Sequence, residues 1–269
     1  MDSYVLQNSL PHAPWSQPQT WKMPGIQVLN PATWLLVDEA FSGQMALRDH
    51  LIADRPKAVH AVLPEGRAAA EECLDLGLAF LADQPDYRVD GDVVVRPDGV
   101  EVRLDREAPL ITLGRLIQED VCLMQPGPDG HILTGALLCF PSAWTLAEKI
   151  GRPLVRIHRP VAEYDDDTAR RVQRLFDRIQ VGYPMWRANA FLYETPELFT
   201  PRREGDPSRT TGANPRFLRS ERQTLRRLAK SGAVAFLIHT YMVKVDSLTE
   251  DQRTGLDAVR RKTFGYSVR

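Results

Sequence analysis

Apolar residues change their spacing several times along the chain, and each change predicts a different backbone. Residues 1–24 hold Pro11, Pro14, Pro18 and Pro24 among polar neighbours, with Trp15 and Trp21 as anchors, and read as an extended arm laid over a folded body. Asn30-Pro31 predicts a helix running through Trp34, Leu35 and Leu36, the asparagine as cap and the proline in the first helical position. A period near 3.6 follows in 41–53 and is strongest in 68–82. The period drops to two over 87–102, where alternation around Pro97-Asp98-Gly99 predicts a hairpin.

The second part of the chain reads mainly as strands. After a short helix at 110–119, segments 120–125 and 131–140 flank Pro126-Gly127-Pro128-Asp129-Gly130, a second hairpin signal. Ser142 reads as the cap of a helix over 143–150, with Gly151 past its end and Pro153 beyond. A helix over 165–179 carries Asp165, Asp166 and Asp167 in its first turn, where carboxylates complement the positive end of the dipole. Residues 183–193 predict a strand and 201–215 a polar loop. Strands over 217–228 and 233–245 follow, joined by Lys230-Ser231-Gly232, and then a helix over 248–263 led in by Ser247 or Thr249. The expectation is an α+β fold: an antiparallel sheet with flanking helices and a helical N-terminal region. Residues 1–108 would supply arm, helices and hairpin, packed on a core of 109–269 as one compact unit.

Charge adds an asymmetry. The 269 residues carry a formal charge of −1, yet residues 1–134 sum to −10 and residues 135–269 to +9. Of the 28 arginines, 20 lie in the second half. Arginine suits bidentate recognition of carboxylate or phosphate, so an anionic partner or cofactor is one reading; an acidic half packed on a basic half is the other. No stretch has the ~20 apolar residues of a membrane span. Cys73, Cys122 and Cys139 are odd in number and lack a CxxC pair, which fits a reducing, cytoplasmic setting. The arginines are scattered through apolar periodic segments, unlike a nucleic-acid footprint.

Signatures for nucleotide binding, a nucleophile elbow or a zincin are absent. His158, in Ile157-His158-Arg159-Pro160, allows two readings: a satisfied structural histidine, or an axial ligand, since a haem iron needs only one protein imidazole. The Glu163 and Asp165 to Asp167 carboxylates beside it read as a helix start rather than a metal cluster. Alternation in 218–228 places Arg219, Glu221, Gln223 and Arg227 on one face of a strand and Arg222, Thr224 and Arg226 on the other. A charged strand beside the apolar run 233–238 suggests a polar pocket wall, with an outer face laced by ion pairs as the alternative.

Several segments taken together, LNPATWLLVDEAF (29–41), CFPSAWTLAEKIGRPLVRIHRPV (139–161), PMWRAN (184–189) and LRSERQTLRRLAKSGAVAFLIHTYM (218–242), resemble the haem-dependent oxidative N-demethylase family. The resemblance implies a PAS-like domain holding a b-type haem (heme b), and oxygen-dependent removal of a methyl group from an amine. It implies a small-molecule amine and O₂ as substrates, and a separate reductase as electron donor. It makes His158 the candidate proximal ligand and Glu221 the candidate catalytic group. Arg152, Arg219 and Arg222 become candidate partners of the haem propionates. Asn189, Ala190 and His239 fall at candidate substrate positions; the family usually has Trp at the position of Ala190 and Arg at that of His239, departures that would enlarge the site and change its charge. Other outcomes consistent with the resemblance are hydroxylation or N-oxidation of a larger substrate, and a non-catalytic haem or small-molecule sensor.

Overall fold

The computed structural model describes residues 5–22, 24–158, 166–206 and 215–265. Residues 1–4 of the arm, Glu163, Asp165 and the middle of the 201–215 loop lie outside the described residues. The strands are β1 (Gln27–Val28), β2 (His60–Val62), β3 (Arg88–Asp90), β4 (Val93–Val95), β5 (Glu101–Arg103), β6 (Asp120–Gln125), β7 (Ile132–Leu137), β8 (Met185–Tyr193), β9 (Phe217–Arg227) and β10 (Val234–Lys244). Seven form one sheet in the order β1-β8-β9-β10-β6-β7-β2, every neighbour antiparallel. β3, β4 and β5 make a small second sheet, so the expected hairpin over 87–102 has three strands rather than two. The described helices are α1 (Pro18–Trp21), α2 (Phe41–Asp54), α3 (Pro56–Val59), α4 (Arg67–Ala82), α5 (Pro109–Gly114), α6 (Leu146–Lys149), α7 (Leu154–Ile157), α8 (Asp166–Arg178), α9 (Glu250–Arg253) and α10 (Leu256–Gly265). The fold is mixed α+β.

Four predicted helices are cut short or split: that over 110–119 ends at Gly114, two others are stopped by tertiary contacts that local pattern does not carry, and the last is divided at a glycine. Asn30 does cap, its side chain accepting from Ala32 N, but only a 3₁₀ turn over Pro31–Thr33 forms. Leu36 N instead donates to the buried Glu119 carboxylate. Ser142 caps nothing: its hydroxyl meets Tyr193 Oη at 2.7 Å, Ala143 sits at φ +58°, and Ala143 N donates to Thr200 O. The helix therefore begins only at Leu146. The last predicted helix is split into α9 and α10 at Gly255, whose φ of +83° breaks the helix; Thr249 is its cap, in a reciprocal capping box with Gln252.

Three apolar clusters hold these elements. The largest packs α2, α4 and α5 on one face of the main sheet, joining Trp34, Leu74 and Val94 to Leu113, Leu123 and Leu237. A second sets Leu146 of α6, Leu154 of α7 and Phe176 of α8 on the opposite face, against Cys122, Leu225 and Val234. The third clamps the arm and α10 over one end of the sheet, with Leu10, Trp15 and Val259 around Leu192 and Tyr241. β9, third in the sheet, is buried from Phe217 to Leu225 although six consecutive residues, Arg219 to Thr224, are polar. Polar groups buried there need partners, and where they find them defines the site.

Candidate functional site

Pairing register fixes which side chains share a face. Asn189 of β8 opposes Glu221 of β9, which opposes Thr240 of β10; Arg187 opposes Gln223. Arg219, Glu221 and Gln223 therefore point to the face covered by α6, α7 and α8, as the alternation predicts. There the Glu221 carboxylate is braced from three directions. Arg219 Nε donates to Oε1 at 3.1 Å, while Asn189 Nδ2 at 3.0 Å and Gln223 Nε2 at 3.1 Å donate to Oε2. Arg219 itself is fully buried and spends its other donors on the carbonyls of Leu198 and Phe140. Arg187 extends the chain outward, donating to Gln223 Oε1 at 2.7 Å and to Pro24 O at 2.9 Å.

His158 stands on this same side. It is the C-cap residue of α7, whose Leu154 and Ile157 pack on the sheet, and its Nδ1 lies 2.9 Å from Leu154 O. A carbonyl can only accept, so Nδ1 carries the proton, and Nε2 is the nitrogen with a lone pair when the ring is neutral. Burial lowers the ring pKa to about 4, aided by the Arg187 and Lys149 charges, against an opposing effect of the Leu154 bond. The ring is thus neutral near pH 7. Arg152 is exposed in the turn leading into α7, its carbonyl accepting from Leu133 N of β7.

The remaining candidates occupy the opposite face. His239 of β10 opposes Arg222 of β9, which opposes Ala188 of β8, and Ala190 lies one pair along beside Ser220. Ala190 is packed in the cluster with Leu10, Trp15 and Tyr241 rather than against an open volume. His239 is fully buried between two carboxylates, with Nδ1 3.1 Å from Glu119 Oε1 and Nε2 3.0 Å from Asp38 Oδ2. Two acceptors on two ring nitrogens call for an imidazolium. Burial lowers its pKa, but the bonds to Asp38 and Glu119 outweigh burial and raise it to about 9. Arg222 donates to Thr33 O and Trp34 O, and its guanidinium lies 6.0 Å from the Trp186 ring centre. The sheet thus brings together Arg219, Glu221 and Asn189 on the side of His158, and sets Arg222, Ala190 and His239 on the other.

Sequence reasoning missed Arg187, Asp38 and Glu119. Arg187 alternates correctly in 183–193 and was available from the register alone; the two carboxylates come from separate segments whose meeting only the tertiary fold reveals. Cys139 is a buried thiol whose pKa burial pushes up to about 12, as befits a packing residue. No described helix is long and apolar enough to cross a membrane. Among the described residues no group of three or more His, Cys, Asp or Glu side chains is placed to hold a metal ion. A haem iron, held by its own macrocycle, needs no such group. A search of curated proteins finds no match to the chain. The family model described as haem-dependent oxidative N-demethylase, alpha subunit-like, matches residues 25–261, and the chain belongs to that family.

Proposed function

We propose that this chain is the haem-binding component of an O₂-using monooxygenase that oxidises a C–H bond next to an amine nitrogen, with His158 as the proximal ligand of a b-type haem in a PAS-like domain. The observation that carries this reading is the state of His158. An axial ligand must be neutral, with its ring oriented by a hydrogen bond, and the low pKa of His158 and its bond to Leu154 O support that role. The residues present therefore fit the group. Bound there, haem supplies oxygen activation, a step that protein side chains cannot perform.

The rest falls to the chain's own side chains. Glu221 holds a negative charge at a fixed point on the His158 side, oriented by Arg219, Asn189 and Gln223. A protonated amine is attracted to that carboxylate and can pass its proton to Oε2, freeing the nitrogen lone pair. Oxidation of the adjacent carbon gives a carbinolamine, which collapses to an aldehyde and a shortened amine. Electrons come from a separate reductase, consistent with a family named for the alpha subunit of a demethylase. Arg152, which leads into α7, is the one proposed propionate partner exposed on the His158 side. The cell cytoplasm is the proposed setting.

The test is spectroscopic and chemical. Protein expressed with adequate haem supply should show a Soret band that His158→Ala abolishes or shifts, and should release formaldehyde from a methylated amine given reductant and O₂. A chain that takes up no haem, or whose spectrum ignores His158→Ala, refutes the assignment. Stable O₂ binding without turnover of any amine would favour the sensor reading.

A further inference from the structure

The face of the sheet opposite His158 carries an arrangement that the proposed oxidation does not use. Arg222, Thr224 and Arg226 alternate along β9 on that face. Asp38 and Glu119 are both engaged by His239, and the Glu119 charge also reaches Arg222. Arg222 is 6% exposed and, among the described residues, hydrogen-bonds only to the carbonyls of Thr33 and Trp34. Arg226 is half-buried, lies 4.6 Å over the Trp34 ring and, among the described residues, makes no hydrogen bond or ion pair. Burial lowers the pKa of both guanidinium groups, so each is held charged at a cost that a nearby anion would remove.

Two buried donors lie beside them without partners. Thr224 Oγ1 sits between the two arginines and Trp34 Nε1 belongs to the ring under Arg226; neither atom has a hydrogen-bond partner among the described residues. Thr224 is 1% exposed and Trp34 0%. Buried hydroxyl and indole N–H groups are almost always satisfied, because an unmet donor is costly. The cross-strand partners on this face are Ala188 and His239 for Arg222 and Ala235 for Arg226. Two cations and two orphaned donors on one patch match the needs of one oxyanion.

We propose that Arg222, Thr224, Arg226 and Trp34 form a binding site for a single small oxyanion, a carboxylate or a phosphate, entered past Arg226. The arginines supply charge-assisted bonds, and Thr224 and Trp34 supply the neutral ones. β9 has strands on both sides, so the sheet separates this patch from the His158 side; the site is distinct from any haem held there.

The test is titration of the full-length chain, with and without haem, with inorganic phosphate and with acetate against chloride at matched ionic strength, by calorimetry and thermal unfolding. Saturable binding of phosphate or acetate is expected, independent of haem content and of His158→Ala. Arg226→Gln should weaken it by about tenfold or more, as expected for loss of a charged hydrogen bond. Thr224→Val, which keeps shape and removes an unpartnered hydroxyl, should weaken binding while leaving unfolding in chloride unchanged or later. Absence of saturable binding overturns the proposal, as does binding that neither variant affects. Binding seen only without haem would assign these donors to a haem propionate and overturn the separate site. Because these readouts need no Soret band, the site and the haem assignment fail independently.

Discussion

His239 is a cation only because two carboxylates enclose it, and that makes stability depend on pH in a predictable window. Its folded pKa of about 9 stands above the ordinary 6.5. A group raised in the folded state stabilises fully below its unfolded pKa and loses that contribution as pH rises through the folded value. The shift corresponds to about 3 kcal/mol, at ~1.4 kcal/mol per pH unit. The ring is fully buried, so solvent screening takes little from it. Urea unfolding at pH 6, 7.5, 9 and 10 should therefore show the free energy of unfolding falling by about 3 kcal/mol from the acid to the alkaline end, most steeply between 7 and 9. His239→Arg keeps a cation against Asp38 and Glu119 at every one of these pH values, and should flatten the profile whatever it does to absolute stability. His239→Gln should cost about 3–5 kcal/mol at pH 6, because two buried carboxylates lose their counter-charge. A wild-type profile flat from 7 to 9, or an undiminished slope in His239→Arg, would refute the imidazolium assignment.

Other predictions follow from single contacts. His158→Ala should lose or shift the Soret band while lowering the free energy of urea unfolding of the haem-free chain by no more than about 1–2 kcal/mol, since its bond to Leu154 O is local to α7. Arg48→Met should destabilise by about 3–5 kcal/mol in urea, because the fully buried Asp120 carboxylate loses its ion-pair partner and keeps, among the described residues, the amides of Cys139 and Phe140. Gly66→Ala should lower the thermal midpoint by several degrees, for a loss of about 1–3 kcal/mol, because the new Cβ would lie 2.4 Å from Thr134 O, a backbone atom that cannot swing away.

Much of the architecture was legible because strands declare themselves by alternation. β9 and β10 formed within a residue or two of the predicted bounds, and the split of Arg219, Glu221 and Gln223 from Arg222, Thr224 and Arg226 follows from the pleat alone. Alternation could not say what each face meets. Arg219 and Arg222 look equivalent in sequence, yet one is bonded to Glu221 on the α7 side and the other to the carbonyls of Thr33 and Trp34 on the opposite side. The sequence does not carry the neighbours of Ala190; the fold packs it in one cluster with Leu10 and Trp15, brought in from the arm. Ser142 failed as a cap for the same reason, its hydroxyl being taken by Tyr193, 51 residues away in the chain. Local pattern fixes an element's type, while contacts between distant segments fix where it stops.

The clamp between arm and α9 sets an order of events. Gln7 N donates to Met242 O and Met242 N donates back to Gln7 Oε1, Trp15 Nε1 donates to Gln252 O, and Gln252 Nε2 donates to Leu10 O. These bonds join residues about 240 positions apart, so a growing chain cannot make them until almost all of the described sequence has left the ribosome. Until then Leu10 and Trp15 of the arm and Leu192 and Leu218 of β8 and β9 lack their late partners, and these apolar residues are open to other nascent chains. Closing so long a loop adds only a slowly growing entropic penalty, so the consequence is one of timing more than of final stability. The arm, made first, therefore waits for almost the whole of the described sequence before its polar partners in β10 and α9 exist.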